Sequence, residues 1–162
     1  MLNKELIMSV LKSRRGQSKA EFVNTANAIY TETLWFLSRL SSRFSRLLAA
    51  DTIHAAHEIV ANAEAANSMI VVDKLRYEER TRYLLRARAA VGALDIQMAH
   101  IYQILMMNPK GAFSNEISGK RAIEKLDKMA ESLGCMIDEE TKLLTGVMKY
   151  DKQLLKKKGA SL

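Results

Sequence analysis

Apolar residues recur at three- and four-residue steps along four long stretches of the chain, and a cluster of chain breakers closes each stretch. Phe22, Ala26, Ile29, Tyr30, Leu34, Leu37 and Leu40 make one stripe, predicting a helix from about Lys19 to Leu40. Ser18, followed three residues later by Glu21, has the spacing of a capping box at its start. Ser41-Ser42-Arg43 breaks this helix, because paired serines favour caps and turns over helix interiors. Phe44, Leu47, Leu48, Ile53, Ala56, Val60 and Ala63 carry the period on to Asn67, with enough alanine for close helix approach. After Ser68–Val72, Asp73 is placed to cap a third helix from Lys74 to Met107. Its stripe is Tyr77, Leu84, Ala87, Val91, Leu94, Met98, Ile101, Tyr102 and Leu105. Asn108-Pro109-Lys110-Gly111 ends it, since proline cannot continue the hydrogen-bond ladder.

A loop then leads to Ser114 or Ser118 as the cap of a fourth helix, from about Gly119 to Tyr150. Ile123, Leu126, Met129, Leu133, Ile137, Leu144 and Val147 form its face, and Gly134 and Gly146 make a kink or a break near Glu139–Thr141 an expectation. Upstream of everything, Leu6, Ile7, Val10 and Leu11 give Asn3–Lys12 a small apolar face of two turns, too short to be a stable helix alone. None of the four long helices can bury its stripe by itself. The expected fold is therefore all-α: an up-down antiparallel four-helix bundle over residues 18–150, with a short N-terminal helix or extension over 1–17 and a basic, flexible C-terminal tail over 151–162. A longer helical hairpin that dimerises is the alternative.

Composition narrows the class. The 162 residues suit one domain, and 7 glycines with a single proline argue against turn-rich β folds. One cysteine forms no internal disulfide, no apolar run reaches the ~20 residues of a membrane span, and the polar N-terminus lacks a signal-peptide core. A cytoplasmic protein without membrane association is expected.

Catalytic chemistry finds little support. A carboxylate-bridged metal pair in a bundle needs two Glu-x-x-His units; Asp51-Thr52-Ile53-His54 has that spacing once, with aspartate in place of glutamate. His57-Glu58 begins like a metalloprotease helix but lacks the second histidine. Cys135, inside Leu133-Gly134-Cys135-Met136-Ile137, reads as a buried structural thiol. No phosphate-binding glycine loop is present. No catalytic residue, metal, cofactor or small-molecule substrate is expected.

Charge is the more telling signal. Lys and Arg number 25 against 18 acids, a net of +7. From Lys149 onward Lys149, Lys152, Lys156, Lys157 and Lys158 face one acid, Asp151. Arg39, Arg43 and Arg46 cluster at the first turn, and Arg82 and Arg86 lie opposite the apolar stripe of the third helix. These ten residues are the candidate contacts to phosphate or to an acidic protein surface. Arg80 falls in the stripe's own sector and must snorkel or meet an acid such as Glu21, Glu32 or Glu131. In an up-down bundle the Arg39 and Arg82 groups occupy opposite ends. Aromatics are only 6% and do not interleave with the charges, so base stacking is not expected.

The order of several short motifs carries a resemblance. Phe36-Leu37-Ser38-Arg39-Leu40-Ser41-Ser42-Arg43-Phe44-Ser45-Arg46-Leu47-Leu48 leads to Ala65-Ala66-Asn67-Ser68, then Tyr77-Glu78-Glu79-Arg80, Leu94-Asp95, Ile117-Ser118-Gly119-Lys120 and Leu133-Gly134-Cys135-Met136-Ile137. Over roughly Asn24 to Tyr150 this resembles the four-helix bundle family that joins the accessory variability determinants of diversity-generating retroelements to proteins encoded in 23S ribosomal RNA intervening sequences. The resemblance implies a barrel-like homopentamer with a cationic surface. It would bind the element's reverse transcriptase and its template RNA, supporting mutagenic cDNA synthesis without catalysing it. The family's Leu-Gly-Gly-Trp-like segment is Leu133-Gly134-Cys135-Met136 here, so no contact made by that aromatic is carried over. A scaffolding homo-oligomer that binds protein and no nucleic acid is the alternative reading.

Overall fold

A computed structural model describes residues 20–159 and is all-helical over them, with four long helices. These are α1 (Glu21–Ser38), α2 (Ser42–Asn67), α3 (Lys74–Met107) and α4 (Gly119–Lys157), with one short 3-10 turn at Pro109–Gly111. Each long helix packs against two others: α1 on α2 and α4, and α3 on α2 and α4. Phe36, Ile29, Ile59, Leu84, Leu94, Leu105, Leu126, Leu133 and Leu144 fill the space between them. Among the described residues no helix is long and apolar enough to cross a membrane. The expected N-terminal helix at Asn3–Lys12 and the Ser18 cap lie outside the described residues.

Local chemistry sets the helix ends. Asp73 accepts a hydrogen bond from the Arg76 backbone N–H at 2.8 Å, and Ser118 accepts one from that of Arg121 at 3.3 Å, so both are N-caps as expected. Asn108 closes α3, its side chain accepting from the Gly111 N–H. A Cβ at Gly111 would stand 2.7 Å from Asn108 Nδ2, so a side chain there would displace the Asn108 amide. Helix α1 starts at Glu21, two residues later than the pattern suggests, and ends at Ser38.

Two clusters tie the connections to the helices. At one end the Ser41 N–H donates to the Ala112 carbonyl at 2.9 Å. The Ser114 N–H donates to Arg39 O at 3.0 Å and its hydroxyl to Leu40 O at 2.8 Å. Phe113 meets Phe36 edge to face, centroids 6.4 Å apart, which seals that end. Elsewhere Arg80 donates from Nε to Asp151 at 2.6 Å and from Nη1 to the carbonyls of Ala66 and Met69 at 2.6 and 2.9 Å. Lys158 adds a bond from Nζ to Val71 O at 2.7 Å. The α2–α3 connection is thereby fastened to the last turns of α4.

Several expectations need correction. Helix α4 does not end at Tyr150: it runs unbroken through Glu139–Thr141 to Lys157, because Asp151 and Leu155 are buried and anchor it. The stretch 151–157 thus belongs to helix α4. Arg80 meets Asp151 instead of Glu21, Glu32 or Glu131, since that extra length brings Asp151 alongside the second turn of α3. Leu47 is 76% exposed, and Thr33 and Phe36 take inward positions on α1 that the apolar stripe did not include. Cys135 is exposed. It lies two residues past inward-facing Leu133, about 200° around the helix.

Candidate nucleic-acid interface

The basic residues named from the sequence fall into two groups. In the first, Arg39 is half-buried at the end of α1, and Arg43 and Arg46 are exposed on the opening turns of α2. Two of these charges are held over rings: Arg39 Cζ lies 5.2 Å from the Trp35 centroid and Arg43 Cζ 5.8 Å from that of Phe44. Two lysines that the sequence pattern did not single out share this end. Lys110 is exposed on the 3-10 turn, and Lys125 Nζ sits 5.4 Å from the Phe113 ring. The signal for them was three-dimensional, since Phe113 pairs with Leu40 only through the bridge between the two connections.

The second group forms around the start of α3 and the end of α4. Arg82 is exposed and pairs with Glu79 at 3.0 Å, a contact worth little in water. Arg86 is exposed, with Cζ 5.8 Å from the Tyr83 ring. Lys149, Lys152, Lys156 and Lys157 are exposed. The Arg80–Asp151 pair and the Lys158–Val71 bond bring this lysine-bearing turn of α4 against the α2–α3 connection and the first turns of α3. Lysines expected on a loose tail therefore stand on a helix that is tied to α3 through Arg80. Lys158 is spent on Val71, so it serves the fold.

Other titratable groups fit a structural role. Glu140 is fully buried on α4 with neither carboxylate oxygen hydrogen-bonded. Burial, with neighbouring Glu139, pushes its pKa up to about 8, which favours the neutral acid. Tyr102 donates to Asp127 at 2.6 Å, and that bond raises the phenol's pKa. His54 and His57 are exposed, and His57 packs edge-on to Tyr30 with centroids 6.0 Å apart. Among the described residues no group of three or more His, Cys, Asp or Glu side chains is arranged to hold a metal.

Two further surface features are apolar. Between α3 and α4 a groove is lined by Met98, Met129, Leu133, Gly134 and Ile137, with Asp95 at its edge. On the outside of α3, Leu85, Ile96 and Met107 are 52%, 60% and 86% exposed. No protein-family model, curated protein or solved structure matches the chain.

Proposed function

We propose that this chain is a non-catalytic accessory subunit of a diversity-generating retroelement, which binds the element's reverse transcriptase and its template RNA in the cytoplasm. The observation that carries the reading is the fixed cationic end. Lys149, Lys152, Lys156 and Lys157 are exposed on a helix that the Arg80–Asp151 pair holds against the start of α3. Ordered cations lose less entropy on meeting a phosphate backbone than cations on a loose tail. The order of short motifs that resembles the accessory family supports the same reading, and with it an up-down antiparallel bundle and a homopentamer. The cyclic packing of α1 through α4 agrees with that topology.

The experiment compares RNA retention by the purified protein with that of the double variant Arg82→Glu, Arg86→Glu. Loss of retention with an unchanged oligomer supports the proposal. Equal affinity favours a second reading, a scaffolding homo-oligomer that binds protein alone. That second reading draws on the C-terminal half of α3, where the nineteen residues from Ala89 to Met107 hold one acid and no Lys or Arg, and Ile96, Ile104 and Met107 are exposed. Helices that are apolar on both faces usually have a partner on each.

A further inference from the structure

We propose that Trp35 and Arg39 form a stacking platform for unpaired bases, so that the end carrying Arg39, Arg43 and Arg46 takes single-stranded nucleic acid. This deepens the nucleic-acid reading above and rests on it. Trp35 is the chain's one tryptophan and stays 59% exposed, although Phe36 beside it is 1% exposed. It points away from the inward residues Thr33, Phe36 and Leu37. A large aromatic left in water has no folding role to explain it, because its apolar area contributes most when buried.

Arg39, one turn further along α1, places its guanidinium 5.2 Å from the ring centroid. Its Nε is buried and has no hydrogen-bond partner, so the ring and no acid holds the group. Between Thr33 and Ala50 the chain carries three arginines and no acid. The acids nearest in sequence are Glu32 and Asp51, just outside that span. Lys110 and Lys125 add positive charge from the α3–α4 side.

That combination suits a strand whose phosphates meet the arginines while one base lies on the open part of the indole. Stacking on an aromatic side chain tolerates any base, since each has a π face. A duplex offers no such base, because its bases already stack on one another. The sequence shows no ladder of aromatics. One exposed tryptophan beside an arginine cluster supplies a single stacking position without one.

The sole tryptophan is its own probe. The full-length protein is titrated at low salt with a short oligouridylate and with a double-stranded RNA of equal length, following both tryptophan emission and retention on a filter. The expected result is saturable quenching by the single strand. Trp35→Ala should weaken single-strand retention by roughly five- to a hundredfold, Trp35→Phe should restore most of it, and neither should change duplex retention. Single-strand binding with no quenching and no effect of Trp35→Ala overturns the platform but leaves the nucleic-acid reading standing. Failure to retain either RNA overturns both. Blue-shifted emission that acrylamide cannot quench in the free protein overturns the platform too, by placing Trp35 between copies of the chain.

Discussion

Arg80 and Asp151, separated by 71 positions, meet at 2.6 Å with side chains only 14% and 3% exposed. The pair is completed by two carbonyls, Ala66 O and Met69 O, which occupy donors on the same guanidinium. One arginine thereby joins the end of α2, the start of α3 and the end of α4. A buried ion pair repays its desolvation only when its remaining donors and acceptors are satisfied, and here Arg80 has partners on both sides.

Removing one member should be costly. Asp151→Ala leaves a buried cation without its acid, and the expected loss is about 3–5 kcal/mol in urea unfolding. Amide exchange should rise selectively over 151–157, because the anchor of that stretch is gone. An unchanged midpoint with unchanged exchange would show that Leu155 and the Lys158–Val71 bond fix the end of α4 without the ion pair.

Glu140 makes stability depend on pH in a particular direction. Its folded pKa of about 8 lies above the ordinary carboxyl value of 4.5, so the folded state holds the proton more tightly than the unfolded chain. Below the ordinary value both states are protonated and nothing is lost. As pH rises from there towards 8, this group should cost stability at no more than about 1.4 kcal/mol per pH unit. Glu140→Gln removes the ionisation, so its unfolding free energy should vary less over that window than that of the parent. Parallel pH profiles for the two proteins would contradict this.

The aromatic contact that seals the other end sets a third expectation. Phe113→Ala removes a buried ring from Phe36 and should destabilise by about 3–5 kcal/mol. Phe113→Leu, which keeps most of the volume, should cost less than half of that. Thermal unfolding of the two variants reads the difference.

Cys135 offers a direct check on how α4 faces outward. The exposed thiol should react with a water-soluble disulfide reagent in the folded protein at a rate close to that in denaturant. Protection until unfolding would place this face of α4 against a second chain.

Much of the architecture was legible in the sequence where periodicity and capping agree. Helix α3 begins and ends where Asp73 and the Asn108-Pro109 break put it, and Ser118 opens α4. Periodicity failed where a charge sits on the buried row. Leu144, Asp151 and Leu155 keep the spacing of the inward face, but the aspartate interrupts the apolar signal, and its partner Arg80 is distant in sequence. The same long-range pairing accompanies the extension of α4 that carries these lysines. Single-residue orientation was the other gap. Cys135 and Leu47 sit among apolar neighbours in sequence yet point outward, while Thr33 points inward. Of the candidate interface, the identities of the arginines and lysines were readable; the placing of Trp35 beside Arg39 and of Lys125 at Phe113 came only from the fold.

The central claim is that an ordered cationic surface neutralises several phosphates at once. The most direct test is the affinity of the purified protein for single-stranded RNA between ~50 and ~200 mM salt. With roughly five phosphates engaged, binding should weaken about a hundredfold across that range. A flat profile, or no binding at the lower salt concentration, would contradict the account.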